Sequence, residues 1–190
     1  MTWIVGEKLL CYTEHSSVNV PKSPALDVGD QVTVEFWMKA DPDNLMNACC
    51  QGLVTTDFYS VEISGGRDAR IGVNFFISTD RGAYYSWHTS DQAGGGFKLP
   101  PGEWHHVAGV YDGTALRLYI DGKLKAETPH MGGISSMLPD SFLSIGSEDG
   151  RSICRECPRS RYFSGLLDEI KIYNRALTEA EIQADKEGFR

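Results

Sequence analysis

The chain has 190 residues, 41% of them hydrophobic, with a formal net charge of −8. That length and apolar content support one well-filled core, and a single domain over 1–190 is expected. The acidic balance excludes general binding to nucleic acid or acidic membrane, which needs cations to neutralise phosphates, and no apolar run reaches the ~20 residues that cross a bilayer.

The N-terminal run Met1-Thr2-Trp3-Ile4-Val5-Gly6-Glu7 lacks the basic start and long apolar stretch of a signal peptide. Two expectations follow: a cytosolic protein, or a module of a longer, exported chain. Val32, Val34, Phe36 and Met38 then alternate with Thr33, Glu35, Trp37 and Lys39. Ile71, Val73, Phe75 and Ile77 alternate in the same way with Gly72, Asn74, Phe76 and Ser78. A period of two is that of a strand with one face buried. Turn signals separate such runs at Gly65-Gly66, Asp80-Arg81-Gly82, Gly94-Gly95-Gly96, Pro100-Pro101-Gly102 and Gly132-Gly133.

The segment Ala83 to Asp91 is dense in polar and aromatic side chains. Aromatic faces cover the C–H patches of sugars, and amides and carboxylates take their hydroxyls. The expected assignment puts Tyr85 and Trp87 in the core. It leaves Tyr84, Ser86, His88 and Asp91, with Asn74 and Phe76 from the preceding strand, as the candidate ligand surface.

Trp104 to Tyr111 is apolar on both faces, the mark of a mid-sheet strand covered on both sides. Its His105 and His106 leave on opposite faces, so the pair cannot jointly grip one ion from that strand; His106 is expected to be a core histidine and His105 an ordinary face residue. Asp112-Gly113 leads into a strand with Leu116, Leu118 and Ile120 on one face, and Asp121-Gly122 closes it.

Cys49-Cys50 and Cys154-Arg155-Glu156-Cys157 form two clusters. An inter-cluster disulfide, a Zn2+ ion held by four thiolates, and free thiols are all compatible with that spacing, the disulfide being the plainer choice. Arg151, Arg155, Arg159 and Arg161 crowd one loop beside Glu148, Asp149 and Glu156, a self-compensating arrangement or an anion site. At the end of the chain, Thr178 with Glu181 forms a capping box before Ile182. Many short strands with one terminal helix define an all-β chain, an antiparallel β-sandwich.

Three segments make the reading more specific: Gly102-Glu103-Trp104-His105-His106-Val107-Ala108, Leu116-Arg117-Leu118-Tyr119-Ile120-Asp121-Gly122, and Phe163 through Leu177. In order and spacing the chain resembles the laminin-G-like domains of the concanavalin-A-like lectin and glucanase superfamily. Val18 to Leu26 and Val32 to Met38 look like that family's first strands, so the resemblance spans nearly the whole chain. It implies a jelly-roll sandwich carried on extracellular or cell-surface proteins, binding glycan or protein without catalysis and often with Ca2+.

Asp168 is the carboxylate most relevant to that ion. Strand alternation from Gly165 puts it in phase with Leu166, Ile170 and Ile172, facing inward. A buried carboxylate must be hydrogen-bonded, paired or metal-bound. Calcium would take Asp168, a carbonyl near Ser23, and Glu14 or Asp27; the alternative has Asp168 capping backbone N–H groups or lying at the rim. The family's Asp-Gly loop before the first strand is replaced here by Thr13-Glu14-His15-Ser16-Ser17. The related jelly-roll glucanases carry their carboxylates as Glu-x-Asp-x-x-Glu on one strand, a run absent here, so no enzymatic role is expected.

Overall fold

The alternating runs become strands wherever expected. The structure, a computed structural model, describes residues 2–5, 10–12, 16–42, 51–65, 71–88, 99–135, 140–148 and 161–188. The first four strands are β1 (Thr2–Val5), β2 (Leu10–Tyr12), β3 (Val18–Pro21) and β4 (Val32–Ala40). Next come β5 (Gln51–Thr55), β6 (Tyr59–Gly65), β7 (Ile71–Thr79) and β8 (Gly82–His88). The central hairpins are β9 (His105–Tyr111), β10 (Ala115–Ile120) and β11 (Lys123–Pro129). The chain closes with β12 (Phe142–Ile145), β13 (Ser147–Glu148), β14 (Arg161–Tyr162), β15 (Gly165–Tyr173) and helix α1 (Glu179–Glu187).

Two antiparallel sheets result. The seven-stranded sheet runs β1-β15-β4-β9-β10-β11, with β2 also paired to β15, and the six-stranded sheet runs β3-β12-β5-β6-β7-β8. Between them lie Val34, Phe36 and Met38 of β4, Leu116, Leu118 and Ile120 of β10, Val61 and Ile63 of β6, and Val73, Phe75 and Ile77 of β7. Gly109 gives the Phe75 ring its room between the sheets: a Cβ there would stand 2.4 Å from it. Strand β9, between β4 and β10, is buried along its whole length, as its two-sided apolarity predicts.

The hairpin turns follow from local chemistry. Asp121 and Gly122 both take positive φ, 52° and 76°, the pair of left-handed residues that a two-residue type I′ turn needs. Asp112 accepts hydrogen bonds from the backbone N–H groups of Thr114 and Ala115, and its carboxylate also pairs with Arg117.

One expectation fails at β15. Its register against β4 shifts between Asp168, opposite Trp37, and Lys171, opposite Glu35, so three steps on β15 match two on β4. Glu169 takes up the extra residue with φ 49°. The inward positions are therefore Leu167, Ile170 and Ile172, and Asp168 sits on the outer face beside Trp37. A bulge flips the phase of everything on one side of it, which alternation counted straight through cannot detect.

Candidate functional site

The outer face of the six-stranded sheet is built by register. One cross-strand row runs Asn19, Ser144, Thr55, Ser60, Phe76 and Tyr85 from β3 to β8. The next runs Gly52, Glu62, Asn74 and Trp87 from β5 to β8. Each row alternates with inward residues on the same strands, so the core strands that hold the sandwich together also fix these positions.

The polar groups of the first row are nearly all satisfied. Thr55 Oγ1 donates to the Ser147 carbonyl at 3.0 Å, Ser144 and Ser147 share a 2.9 Å hydroxyl contact, and Ser60 Oγ donates to Glu62 Oε1 at 2.8 Å. Asn74, in the second row, differs: it is 7% exposed, and its Oδ1 is buried with no hydrogen-bond partner. An amide oxygen left in that state forfeits about 1–3 kcal/mol. Phe76, 2% exposed, lies two residues along β7 from Asn74 on the same face.

This geometry separates the predicted ligand residues. Asn74 and Phe76 are together on the outer face, as expected. On β8 the register sets Tyr84, Ser86 and His88 opposite Ile77, Phe75 and Val73, and Tyr85 and Trp87 opposite Phe76 and Asn74. The cause is the hairpin at Asp80-Arg81, which pairs Thr79 with Gly82 and so sets every later pairing. The turn was legible, and counting back from it assigns the register. Ser60, Thr55 and Glu62 were missed because β6 has no counterpart among the runs identified by alternation. Asp91 lies outside the described residues.

Glu62 supplies the one carboxylate among the described residues of these two rows. Glycoside hydrolysis needs two carboxyl groups flanking a bond. The arrangement suits binding.

The described members of the predicted calcium set, Asp168, Ser23 and Asp27, do not converge. Asp168 Oδ1 accepts the Glu169 N–H at 2.9 Å, a backbone-capping role, on the outer face of the other sheet. Ser23 accepts the Leu26 N–H with its carbonyl, and Asp27 is exposed; both lie in the loop entering β4 at Val32. Trp37, opposite Asp168, is about 16 Å along β4 from that end at ~3.3 Å per residue. Among the described residues no group of three or more His, Cys, Asp or Glu is placed to hold a metal. Glu14, Cys49, Cys50, Cys154 and Cys157 lie outside the described residues, so the calcium, zinc and disulfide alternatives at those positions do not enter the geometry. Of the arginine loop, Glu148 and Arg161 are opposite each other in the β13–β14 ribbon.

The two histidines divide as expected. His105 Nδ1 meets Asp121 Oδ2 at 3.0 Å, and the Asp121 Oδ1 accepts the His106 N–H at 3.0 Å. Burial works against a charged His105, yet the hydrogen bond and charge of Asp121 raise its pKa above the ordinary value. Burial opposes ionisation of Asp121 too, but the His105 and His106 hydrogen bonds hold its pKa below the ordinary carboxylate value. His106 is buried on the other face, beneath α1.

A double-layered antiparallel sandwich of two sheets over one apolar core defines a lectin-like fold. The chain belongs to the concanavalin A-like lectin/glucanases superfamily, whose laminin-G-type model matches residues 13–183. It is 26% identical over 173 residues to mouse (Mus musculus) pappalysin-1, an alignment covering 83% of this chain and 10% of that protein. The chain thus spans a small fraction of the length of this curated relative. Among solved structures it resembles domain 4 of AbnA, an extracellular arabinanase of Geobacillus stearothermophilus, in complex with arabinotriose. The TM-score is 0.60 at 19% identity, covering 88% of this chain and 72% of that one. It also resembles the botulinum neurotoxin serotype D ligand-binding domain in complex with N-acetylneuraminic acid. The TM-score there is 0.66 at 12% identity, covering 99% of this chain and 46% of the other. At these identities the structural likeness is one of fold.

Proposed function

We propose that this chain is a non-catalytic carbohydrate-recognition module of a larger extracellular or cell-surface protein, taking glycan on the outer face of β5–β8. The observation that carries this reading is the Asn74 amide, buried without a partner for its oxygen beside Glu62 on β6 and Phe76 on β7. A sugar satisfies such a site with hydroxyl hydrogen bonds and covers an aromatic ring with its C–H face. The fold relatives bound to arabinotriose and to N-acetylneuraminic acid support the ligand class. The short share of pappalysin-1 that the chain matches supports its place in a longer protein.

The test is a glycan array on the wild-type chain, followed by titration of the best ligand against Asn74→Ala. Specific binding that Asn74→Ala weakens at least about tenfold supports the reading. A blank array, or binding indifferent to Asn74, would leave the protein-interaction module on the same sandwich as the better account. Calcium is left out of the proposal because the described members of its predicted set do not converge. Glycan binding is expected to survive a chelator; loss that added calcium restores would bring the ion back through residues outside the described ones.

A further inference from the structure

The outer face of the seven-stranded sheet holds chemistry that glycan recognition does not use. Helix α1 seats Ile182 against Ala108, Val110, Tyr119, Tyr173 and Leu177. Alongside this apolar seat lie Glu35 of β4, His106 of β9, Lys171 and Tyr173 of β15, and Asp185 of α1. Glu35 and His106 are 1% and 2% exposed. The Tyr173 hydroxyl lies 3.2 Å from Glu35 Oε1 and 3.0 Å from Asp185 Oδ2. Lys171 Nζ lies 3.7 Å from Glu35 Oε1 and 3.2 Å from Asp185 Oδ1. His106 Nε2 stands 3.7 Å from Glu35 Oε2, too far for a hydrogen bond, and Glu35 Oε2 and His106 Nδ1 are both buried without a partner.

The protons in this cluster can be counted. Tyr173 owns one hydroxyl proton yet meets two carboxyl groups, and one ammonium faces the same two. Both tyrosine contacts become hydrogen bonds when Glu35 is the protonated acid, donating to Tyr173 Oη while Tyr173 donates to Asp185. Lys171 then balances Asp185, and the cluster is neutral. If Glu35 also ionised, a second negative charge would sit in a nearly water-free place beside the first.

We propose that α1 is a proton-linked clasp: closing it over the β4–β9–β15 face takes up one proton, held on Glu35, and opening it releases that proton. Helix docking is the step that matters because α1 brings Asp185 and removes water from Glu35.

The electrostatics of every facing group agree. Burial, reinforced by the hydrogen bond and charge of Asp185, pushes the Glu35 carboxyl up to about 8, against the pull of Lys171 and Tyr173. Burial, with Lys171 and Lys186 adding, takes His106 down to about 4, against Asp185 and Asp121. Burial disfavours ionised Asp185, but the neighbouring Glu35 acid and the hydrogen bonds from Lys171 and Tyr173 hold its pKa below the ordinary value. For Glu35, raised from 4.5, the stabilisation of the closed state is full below pH 4.5 and is lost as pH rises through about 8. For His106, lowered from 6.5, it is full above pH 6.5 and is lost as pH falls toward 4. The two slopes cancel between 4.5 and 6.5, and above 6.5 only that of Glu35 remains.

Hydrogen exchange of α1 peptides in the intact chain, corrected for intrinsic rates, tests the clasp. Protection of α1 is expected to hold level up to pH 6.5, fall by close to tenfold per pH unit to about 8, and level off beyond. Glu35→Gln keeps the shape with a neutral group and is expected to abolish the fall. Asp185→Asn, on the partly exposed helix, is expected to reduce the fall and end it at lower pH. Flat wild-type protection from pH 6.5 to 8, or a full fall in Glu35→Gln, overturns the proposal. If Glu35→Gln does not fold, an unchanged fall in Asp185→Asn overturns it equally. An equal fall in β9 peptides assigns the proton to global unfolding and overturns the clasp.

Discussion

The two outer faces of the sandwich handle buried polarity in opposite ways. On the six-stranded sheet the groups are neutral, apart from Glu62, and pair with near neighbours, leaving the Asn74 amide oxygen unmatched. On the seven-stranded sheet they are ionisable, drawn from β4, β9, β15 and α1, and closed over by the helix. Neutral hydrogen-bonding groups cost little to satisfy with a ligand's hydroxyls and little to expose again. Ionisable groups at low dielectric settle by moving protons. One face therefore suits exchangeable recognition and the other suits a linked equilibrium.

The comparison rests on a shared frame, and breaking the frame should affect both faces at once. Gly109→Ala drives a methyl into the Phe75 ring between the sheets. It is expected to cost about 1–3 kcal/mol in urea unfolding, lowering glycan affinity and helix protection alike. Asn74→Ala sharpens the contrast instead. It should weaken glycan binding about tenfold, near 1.4 kcal/mol, with the melting temperature unchanged or raised, because an unsatisfied buried group is removed. Glu35→Gln should leave that binding intact.

Asp121→Ala acts between the faces, since its carboxylate serves both His105 and the His106 N–H. With the pair partly exposed, a loss of about 1 kcal/mol is expected after solvent screening. His105, its pKa raised, contributes fully below pH 6.5 and loses its contribution as pH rises; Asp121, its pKa lowered, contributes above pH 3.8 and loses it as pH falls. The difference in melting temperature between Asp121→Ala and wild type should therefore be largest between those values. The smallest effect falls on the cap: Thr178 accepts the Glu181 N–H in a capping box. Thr178→Ala should lower α1 protection by a constant amount, about 0.5–1 kcal/mol, at every pH without changing the slope. A changed slope would mean that the cap, not Glu35, carries the proton linkage.

Much of the frame was legible because its signals are local. The alternation of Val32 to Lys39 and of Ile71 to Ser78, the Asp-Gly turns and the Thr178 capping box each depend on a few adjacent residues. Of the candidate site, Asn74 and Phe76 were legible on the same grounds. The register of Tyr84 to His88 follows from the hairpin that pairs Thr79 with Gly82, not from the apolar character of those residues.

By itself the sequence determined the alternating strands, the Asp-Gly hairpins and the two-sided burial of β9, since steric preference and a period of two need no knowledge of distant neighbours; the superfamily was legible from the resemblance of three motifs. The tertiary structure alone decided that one extra residue at Glu169 turns Asp168 outward. It also decided that Glu35 meets Tyr173, 138 positions away, beneath a helix carrying Asp185. Register and burial are set by what packs against a strand. A carboxylate's charge follows from its burial, so that part of the chemistry is written only in the folded chain.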